Sequence, residues 1–464
     1  MSGFSSLNTA VTGLAAAQRA MDVIGQNVVN ANTPGYSRQR VDLREIGAPV
    51  TATLFTGHGA AIGGVTVADV ARIKDAFIEG ARAAAGGRRA ALSSQTAALD
   101  SVQQLLAEPG NTGLQATMDA FYASWHDLAN NPTDSAAGSV VIQRGIAVTD
   151  QLRSISSGIA GQWATSHDAL ANVVAQVNRA AADLADVNAK ISSGLVAGLP
   201  VNELEDQRDV LSRTLAELVG GTAVIGQDGT ASVAVNGVSI VAGTTAQQLT
   251  LAGSTTLTGA AANPPKIMWG TTVVPVDSGS AAGYLAVLGT ALPAAAQKVD
   301  TLATSLRDLV NGVHATGFQA DGTPGGLFFD GTDALSLQVV PTDPGQLAIT
   351  PTAGTVDGSV ALKIGDLSDD QVQLQQLGST GPTAQWRNFT SQLGVRVQSL
   401  KNAGAVQDSV VAAADTAVET DSGVNLDEEM TGMLQFQRSY QAAARVVTTV
   451  DEILDTLINH TAVG

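Results

Sequence analysis

Leu7, Leu14, Met21 and Val28 recur every seven residues, and Ala10, Ala17, Ile24 and Ala31 repeat the spacing three positions on. An a/d stripe held over four heptads predicts a helix that buries one seam against another helix. The far end carries the same pattern in Leu426, Met433, Tyr440, Val447 and Leu454, offset by Phe436, Ala443, Val450 and Leu457. There Asn425 is the expected N-cap, Glu428 stands at the capping-box position, and Asp427, Glu428 and Glu429 suit the positive end of the helix dipole. Between Ser2 and Asn32 the only charges are Arg19 and Asp22. A two-stranded coil keeps its outer faces wet with charge, so a helix this neutral belongs inside a larger packing of helices. The plainer alternative is an ordinary amphipathic core helix. Two heptad helices at opposite ends, each incomplete alone, are expected to pair with each other.

The interior adds long helical patterns. Leu114, Met118, Phe121, Trp125 and Leu128 share one stripe, stopped by Asn131-Pro132. From Ser135 to about Gly194 the apolar period stays near 3.6, which predicts a rod with a break near Gly158 or Gly161. Further helices are expected over "VNELEDQRDVLSRTLAELVGG", Ala282 to Gly317 and Ala384 to Val418. At Gly220 the composition changes: residues 221–283 carry only Asp228, Lys266 and Asp277 as charges, in short β-branched runs separated by Asp228-Gly229 and Asn236-Gly237. Those are two-residue hairpin signals. A second β-like stretch, 336–364, contains Pro341, Pro344 and Pro351, which weaken it as a central strand; whether it joins the first β unit stays open. The expected fold is multidomain α+β. Residues 1–33 with 424–464 form a terminal coiled coil, 34–220 with 284–423 an elongated, mainly helical domain, and 221–283 an inserted antiparallel β domain.

No chemistry stands out. Aromatics make up 4% and charged residues 14% of the 464 residues, with Gly, Ala, Ser and Thr in their place, a thin-cored composition more usual in assembly proteins than in enzymes. The net charge of -18 argues against nucleic acid or anionic lipid as partner, since both need a basic footprint. Without cysteine there is no disulfide, thiolate zinc site or thiol nucleophile. The five histidines are scattered, so no metal or other cofactor is expected, and "GHGAAIGG" (57–64) fits a turn better than a phosphate loop. Asp321-Gly322 and Asp330-Gly331 lack the full calcium-loop spacing and suit turns. No cleaved leader and no run of 18 apolar residues is visible, which suggests a cytoplasmic protein or one exported without a leader, not inserted in a membrane. The most polar segment is "NVVNANTPGYSRQRV" (27–41). Thr33-Pro34-Gly35-Tyr36 suits a type II turn, with Asn30 and Asn32 available to the open end of the helix. A phosphate site would need a helix start, and here a helix stops.

Here the residues resemble a known family. "GLAAAQRAMDVIGQNVVNANTPGYSRQRV" is similar to the N-terminal motif of the flagellar rod, hook and junction proteins, and "SGVNLDEEMTGMLQFQRSYQAAARVVTTVDEILDTLIN" to their C-terminal motif. The forms "SGVNLDEE" and "QFQRSYQAAARV", with "GGVTVADVARIKDAFI", "DAFYASWHDLANNP", "LEDQRDVLSRTLAEL" and "VNGVHATGFQADGTPGGLFF" in order, resemble the hook-associated protein 1 family at the hook–filament junction. The chain departs from the pattern at Gly138, where the family often carries Arg. The resemblance implies a structural, non-enzymatic adapter that forms a ring of copies between hook protein and the next junction protein. It implies escort by an export chaperone and export through the flagellar type III channel to the extracellular flagellum. It implies an inner terminal coil, a helical domain around it and a β domain outermost. The assembly seam would be Leu7, Leu14, Met21, Val28, Met433, Tyr440, Val447 and Leu454. The N-terminal junction motif would be Asn27, Asn30, Asn32, Pro34, Gly35 and Tyr36, and the C-terminal motif Gly423, Asn425, Asp427, Glu428, Gln437 and Tyr440. The alternatives are another flagellar axial protein, such as a hook subunit or the third junction protein, and a flagellum-displayed extracellular enzyme.

Overall fold

In the computed structural model, which describes residues 3–46, 63–368, 371–376 and 380–456, the terminal stripes form helix α1 (Gly3–Asn30) and, at the far end, a helix over Leu426–Asp455. Leu457 and residues 57–62 of "GHGAAIGG" lie outside the described residues. The two helices pack together. Asn27 bonds Glu429 while Ile24 approaches Gly432, so the pair is antiparallel. The face used by α1 differs from the a/d expectation. Ala10, Ala17 and Ile24 are buried, but so are Ala16, Ala20, Val23 and Asn27, while Leu7, Leu14, Met21 and Val28 are only half-buried. The reason is cover from two sides: the hairpin of β1 (Gln39–Glu45) and β2 (Val65–Arg72) also packs on α1. Val65 N, for example, donates to Thr12 Oγ1 at 3.3 Å. On a helix with small residues most of the way round, such partners choose the face.

Between the ends the chain builds a rod from α2 (Ala76–Leu106), α3 (Leu114–Asn130), α4 (Ser135–Val196), α5 (Asn202–Val219), α6 (Gly279–His314), α7 (Ser359–Gly365) and α8 (Pro382–Ser422); the terminal helix Leu426–Asp455 is α9. The 62 residues of α4 span about 93 Å without the break expected at Gly158 or Gly161. Each glycine costs a helix only about 1 kcal/mol, and the Leu105 side chain of α2 fills the space where a Cβ at 158 would stand, so this glycine serves packing. The stripe Leu114, Met118, Phe121, Trp125 and Leu128 is buried. Helix α6 passes through one π-helical turn at Val287–Ala291, where Leu288 O accepts from Trp163 Nε1 at 3.1 Å. Among the described residues α6 is the one helix long and apolar enough to cross a bilayer. Its apolar stripe, including Val299, Leu302, Leu306 and Val310, is buried in the protein core instead. Helices α2 and α8 run antiparallel, joined by Arg82–Asp415 and Lys401–Asp100, both at 2.6 Å.

Strands run from Thr222 to Val273, with a short helix at Leu257–Ala260 among them, and the last residues of the expected 221–283 span already belong to α6. One sheet has the order β3 (Thr222–Ile225), β4 (Ala231–Val235), β5 (Val238–Ala242), β6 (Thr245–Ala246); the other has β7 (Leu249–Ala252), β8 (Lys266–Trp269), β9 (Thr272–Val273). Asn236 and Gly237 make the expected two-residue turn, with φ of 44° and 85°. Asp228-Gly229 does not: it lies in a longer connection in which Asp228 Oδ1 accepts from Thr230 N at 3.1 Å. The sheets close no core of their own, because Val233, Val235, Ile240, Leu249 and Ile267 share one apolar cluster with α4 and α6. Buried asparagines clamp them to α4. Asn188 donates to Ala231 O and Gly243 O and accepts from Ala231 N, while Asn178 pairs with both backbone groups of Leu249. The β unit therefore lies along the half of α4 nearest the terminal helices, not at the rod's outer end, as the resemblance implied.

That outer end is built by residues 315–358 against α3 and the start of α4. The β-like reading of 336–364 needs correction. Its one strand is β11 (Gln338–Val339), paired with β10 (Phe329–Asp330), and Thr350 adds a single bridge to Phe318; a 3-10 turn lies between them at Pro344–Gln346, and Ser359–Gly365 is helix. The prolines remove the donors that a longer ladder would need. Buried His314 organises this lobe: Nε2 accepts from Ala348 N at 2.9 Å, so Nδ1 carries the proton donated to Gly326 O at 2.8 Å. Gly138 lets Pro344 pack onto α4, since a Cβ there would lie 2.8 Å from the proline Cβ. Asp321 and Asp333 accept from the backbone N–H groups of Thr323 and Ser336, as turn residues do.

Candidate functional site

The segment after α1 is where the terminal pair, the hairpin and the rod meet. Helix α1 ends with Asn30 Nδ2 donating to Gln26 O at 3.1 Å and Asn30 Oδ1 accepting from Thr33 Oγ1. The turn forms as its sequence requires: Tyr36 N donates to Thr33 O at 3.1 Å and Gly35 has φ of 84°. Gly35 is doubly constrained, because a Cβ would collide with Val210 of α5. Asn32 and Pro34 are exposed.

Asn27 is the centre of the site. It is 1% exposed and uses its whole amide. Nδ2 donates to Gln39 O at 2.9 Å and to Glu429 Oε2 at 3.0 Å; Oδ1 accepts from Tyr36 OH at 2.8 Å and from Gln39 N at 3.0 Å. One side chain thus ties α1 to its exit turn, to β1 and to α9. Glu429, buried beside it, accepts from Arg38 Nε at 2.7 Å, and Arg38 Nη1 reaches Glu428 at 2.9 Å. The backbone closes the knot, since Arg38 N donates to Ser422 O at 3.1 Å. The Tyr36 phenol is pushed up to about 12, first by burial and then by Asp206, Glu429 and Glu203, so it stays a proton donor.

Helix α5 holds the other side. Arg72 of β2 bonds Glu205 at 2.9 Å, Asp206 at 2.7 Å and Asp209 at 2.9 Å, and Lys74 joins Asp209 at 2.5 Å. Asp206 also accepts from Ser37 N, and Asn202 donates to Val70 O at 2.7 Å. Burial alone would raise the Asp209 carboxyl; Lys74, Arg208 and Arg72 hold it below its usual value instead. Among the described residues every buried charge here has a partner, and such an arrangement fixes geometry. Among the described residues, no group of three or more His, Cys, Asp or Glu is placed to hold a metal ion.

The C-terminal motif residues divide. Asn425 caps α9 by accepting from Asp427 N and Glu428 N. Glu428 does not close the expected capping box, because Arg38 draws its carboxylate away. Gly423 lets the chain turn from α8 into α9, where a Cβ would collide with Glu419 O. Asp427 and Gln437 are exposed; Met433, Tyr440, Val447 and Leu454 are half-buried along α9. Sequence reasoning read Glu429 only as a first-turn acid and not as part of the site, although it stands on the α9 stripe seven residues before Phe436. A carboxylate on an apolar seam is the sign of a register-fixing contact. It also left out Arg72, Asp206 and Asp209. The run "EDQRD" was visible, but its partners lie more than a hundred residues away.

Comparisons with known proteins agree along the chain. A family described as flagellar hook-associated protein FlgK helical domain matches residues 99–329. The flagella basal body rod protein family matches 7–36, and the C-terminal family of flagellar basal body rod FlgEFG proteins matches 418–460. Flagellar hook-associated protein 1 of Bacillus subtilis is 29% identical over 507 aligned positions, covering 100% of this chain and 99% of its own length. Its counterpart in Salmonella typhimurium is 26% identical, covering 98% and 99%. The structure of the flagellar hook junction protein FlgK from Burkholderia pseudomallei matches with a TM-score of 0.64 at 15% identity, over 72% of this chain and 98% of that one; at that identity the likeness concerns the fold.

Proposed function

Because this chain belongs to the flagellar hook-associated protein 1 family, we propose that it is the structural adapter between hook and filament, assembled as a ring of copies. The observation that carries this reading is the antiparallel α1–α9 pair, tied to the rod through Asn27 and Glu429. The pair is long, but its outer faces leave Val11, Met430, Leu434, Val446 and Ile453 exposed and Leu7, Leu14, Met21 and Val28 half-buried. Isolated helices gain little alone, and apolar residues left in water are stabilised by neighbours. In the ring these residues meet adjacent copies, with hook protein on one side and the next junction protein on the other. The seam residues of α9, Met433, Tyr440, Val447 and Leu454, hold it to α1 within the copy. The junction knot sets the angle at which the rod leaves the coil. The chain reaches the extracellular flagellum unfolded, escorted by an export chaperone.

The test is loss of the gene, followed by return of a truncated chain. Cells without it are expected to carry hooks without filaments and to release filament protein into the medium. A chain lacking Met1 to Ala31 and Asn425 to Gly464 is expected to fold as a soluble monomer and to fail at hook ends. Filament growth on the truncated chain would remove the role given to the terminal pair.

A further inference from the structure

Beside the junction lies a groove of about 740 Å³ between α2, α5 and β3. One wall is the sheet's edge strand, whose Thr222, Ala223, Val224 and Ile225 are all exposed. Ala83 and Ala84 of α2 line the groove, and Arg88 and Arg213 stand in it with no carboxylate partner among the described residues. Glu79 and Asp277 also border it, and Lys74 and Asp209 satisfy each other. An exposed edge strand with small apolar neighbours and two unpaired guanidinium groups suits a segment that is both apolar and acidic.

The chain carries such a segment at the α8–α9 corner. Glu419, Asp421 and Asp427 are exposed and unpaired among the described residues, and Leu426 beside them is 51% exposed. The corner adjoins the same junction as the groove, since Ser422 O accepts from Arg38 N while Asp209 and Lys74 belong to the α5 clamp. It lies on the opposite side of α2. Gly80, Ala83, Ala84 and Arg88 face the groove, whereas Arg82 and Ala85, which bond α8, sit about half a turn away at about 100° per residue. Complementary patches at one height on opposite sides are what a head-to-tail ring contact requires. We infer that the groove receives the α8–α9 corner of the neighbouring copy, with Leu426 against Val224 and Ile225 and the acids against Arg88 and Arg213.

The inference rests on the ring proposed above, and the absence of cysteine makes it testable in the full chain. Ala223→Cys and Thr420→Cys are introduced singly and together in cells lacking the native copy, and isolated hook–filament particles are oxidised. The double variant is expected to give a ladder of disulfide-linked multimers and each single variant only monomer. In parallel, Arg88→Glu with Arg213→Glu is expected to reduce filament-bearing cells about tenfold. Adding Glu419→Arg with Asp421→Arg is expected to restore them to within about threefold. Monomer alone from particles that contain the double variant, or reversal without rescue, overturns the groove contact and leaves the adapter role standing. Absence of the chain from the particles overturns the adapter role itself, and the contact with it.

Discussion

Replacing Asn27 by Ala isolates the contribution of the junction knot. The change removes an amide that donates twice and accepts twice. Tyr36 is half-buried and can turn its hydroxyl to water, but Gln39 is 7% and Glu429 3% exposed, so their freed groups stay dry. A buried polar group left without a partner costs roughly 1–3 kcal/mol, and such costs do not add fully. About 3 kcal/mol is expected, concentrated on the docking of α9 and β1, which is about a hundredfold in the local opening equilibrium. Hydrogen exchange followed by mass spectrometry should show that increase for amides around Glu429–Leu434 and Gln39–Glu45, with the centre of α4 unchanged. Asn27→Asp sharpens the test: it keeps the shape but places a second carboxylate against Glu429, so its loss should equal or exceed that of Ala. Protection within about threefold of the parent, or equal loss along α4, would refute the idea that this amide locks the pair.

Two further outcomes follow from the geometry. Gly35→Ala forces a side chain into positive φ and into Val210, and should cost roughly 2 kcal/mol in thermal or denaturant unfolding. Val210→Ala in the same chain should recover the steric share but not the backbone share. Full recovery would show that backbone strain contributes nothing. Burial lowers the affinity of His314 for a proton, only partly offset by its bond to Gly326 O, and the neutral ring is the acceptor for Ala348 N. Its contribution is therefore complete above the ordinary histidine value of about 6.5 and is lost as the pH falls through the depressed folded value. Thermal stability should decline on acidification across that range, and His314→Gln should flatten this part of the profile while lowering its plateau. A mutant profile parallel to the parent's would place the titration elsewhere.

The sequence by itself determined what depends on neighbours along the chain. Heptads, caps and stop signals specify α1, α9 and the long rod helices, because helix formation is governed by residues within a few turns. Thr33-Pro34-Gly35-Tyr36 and Asn236-Gly237 specify their turns through the φ values that Pro, Asn and Gly allow. Tertiary structure alone decided which face α1 turns inward, because a helix rich in alanine has no sharp apolar boundary until the hairpin and α9 cover it from two sides. It decided that Gly158 is a point of contact rather than a break, since only the position of Leu105 shows what packs against it. It also decided where the β unit lies, through Asn178 and Asn188, whose partners are strand backbones far along the chain. The junction shows the division most clearly. Asn27 stood out as part of a motif, but that it is buried, and that Glu429, Arg38 and the acids of α5 complete its surroundings, follows from pairings across hundreds of residues. A polar group's energy depends on whether it is desolvated and what faces it, and local sequence encodes neither.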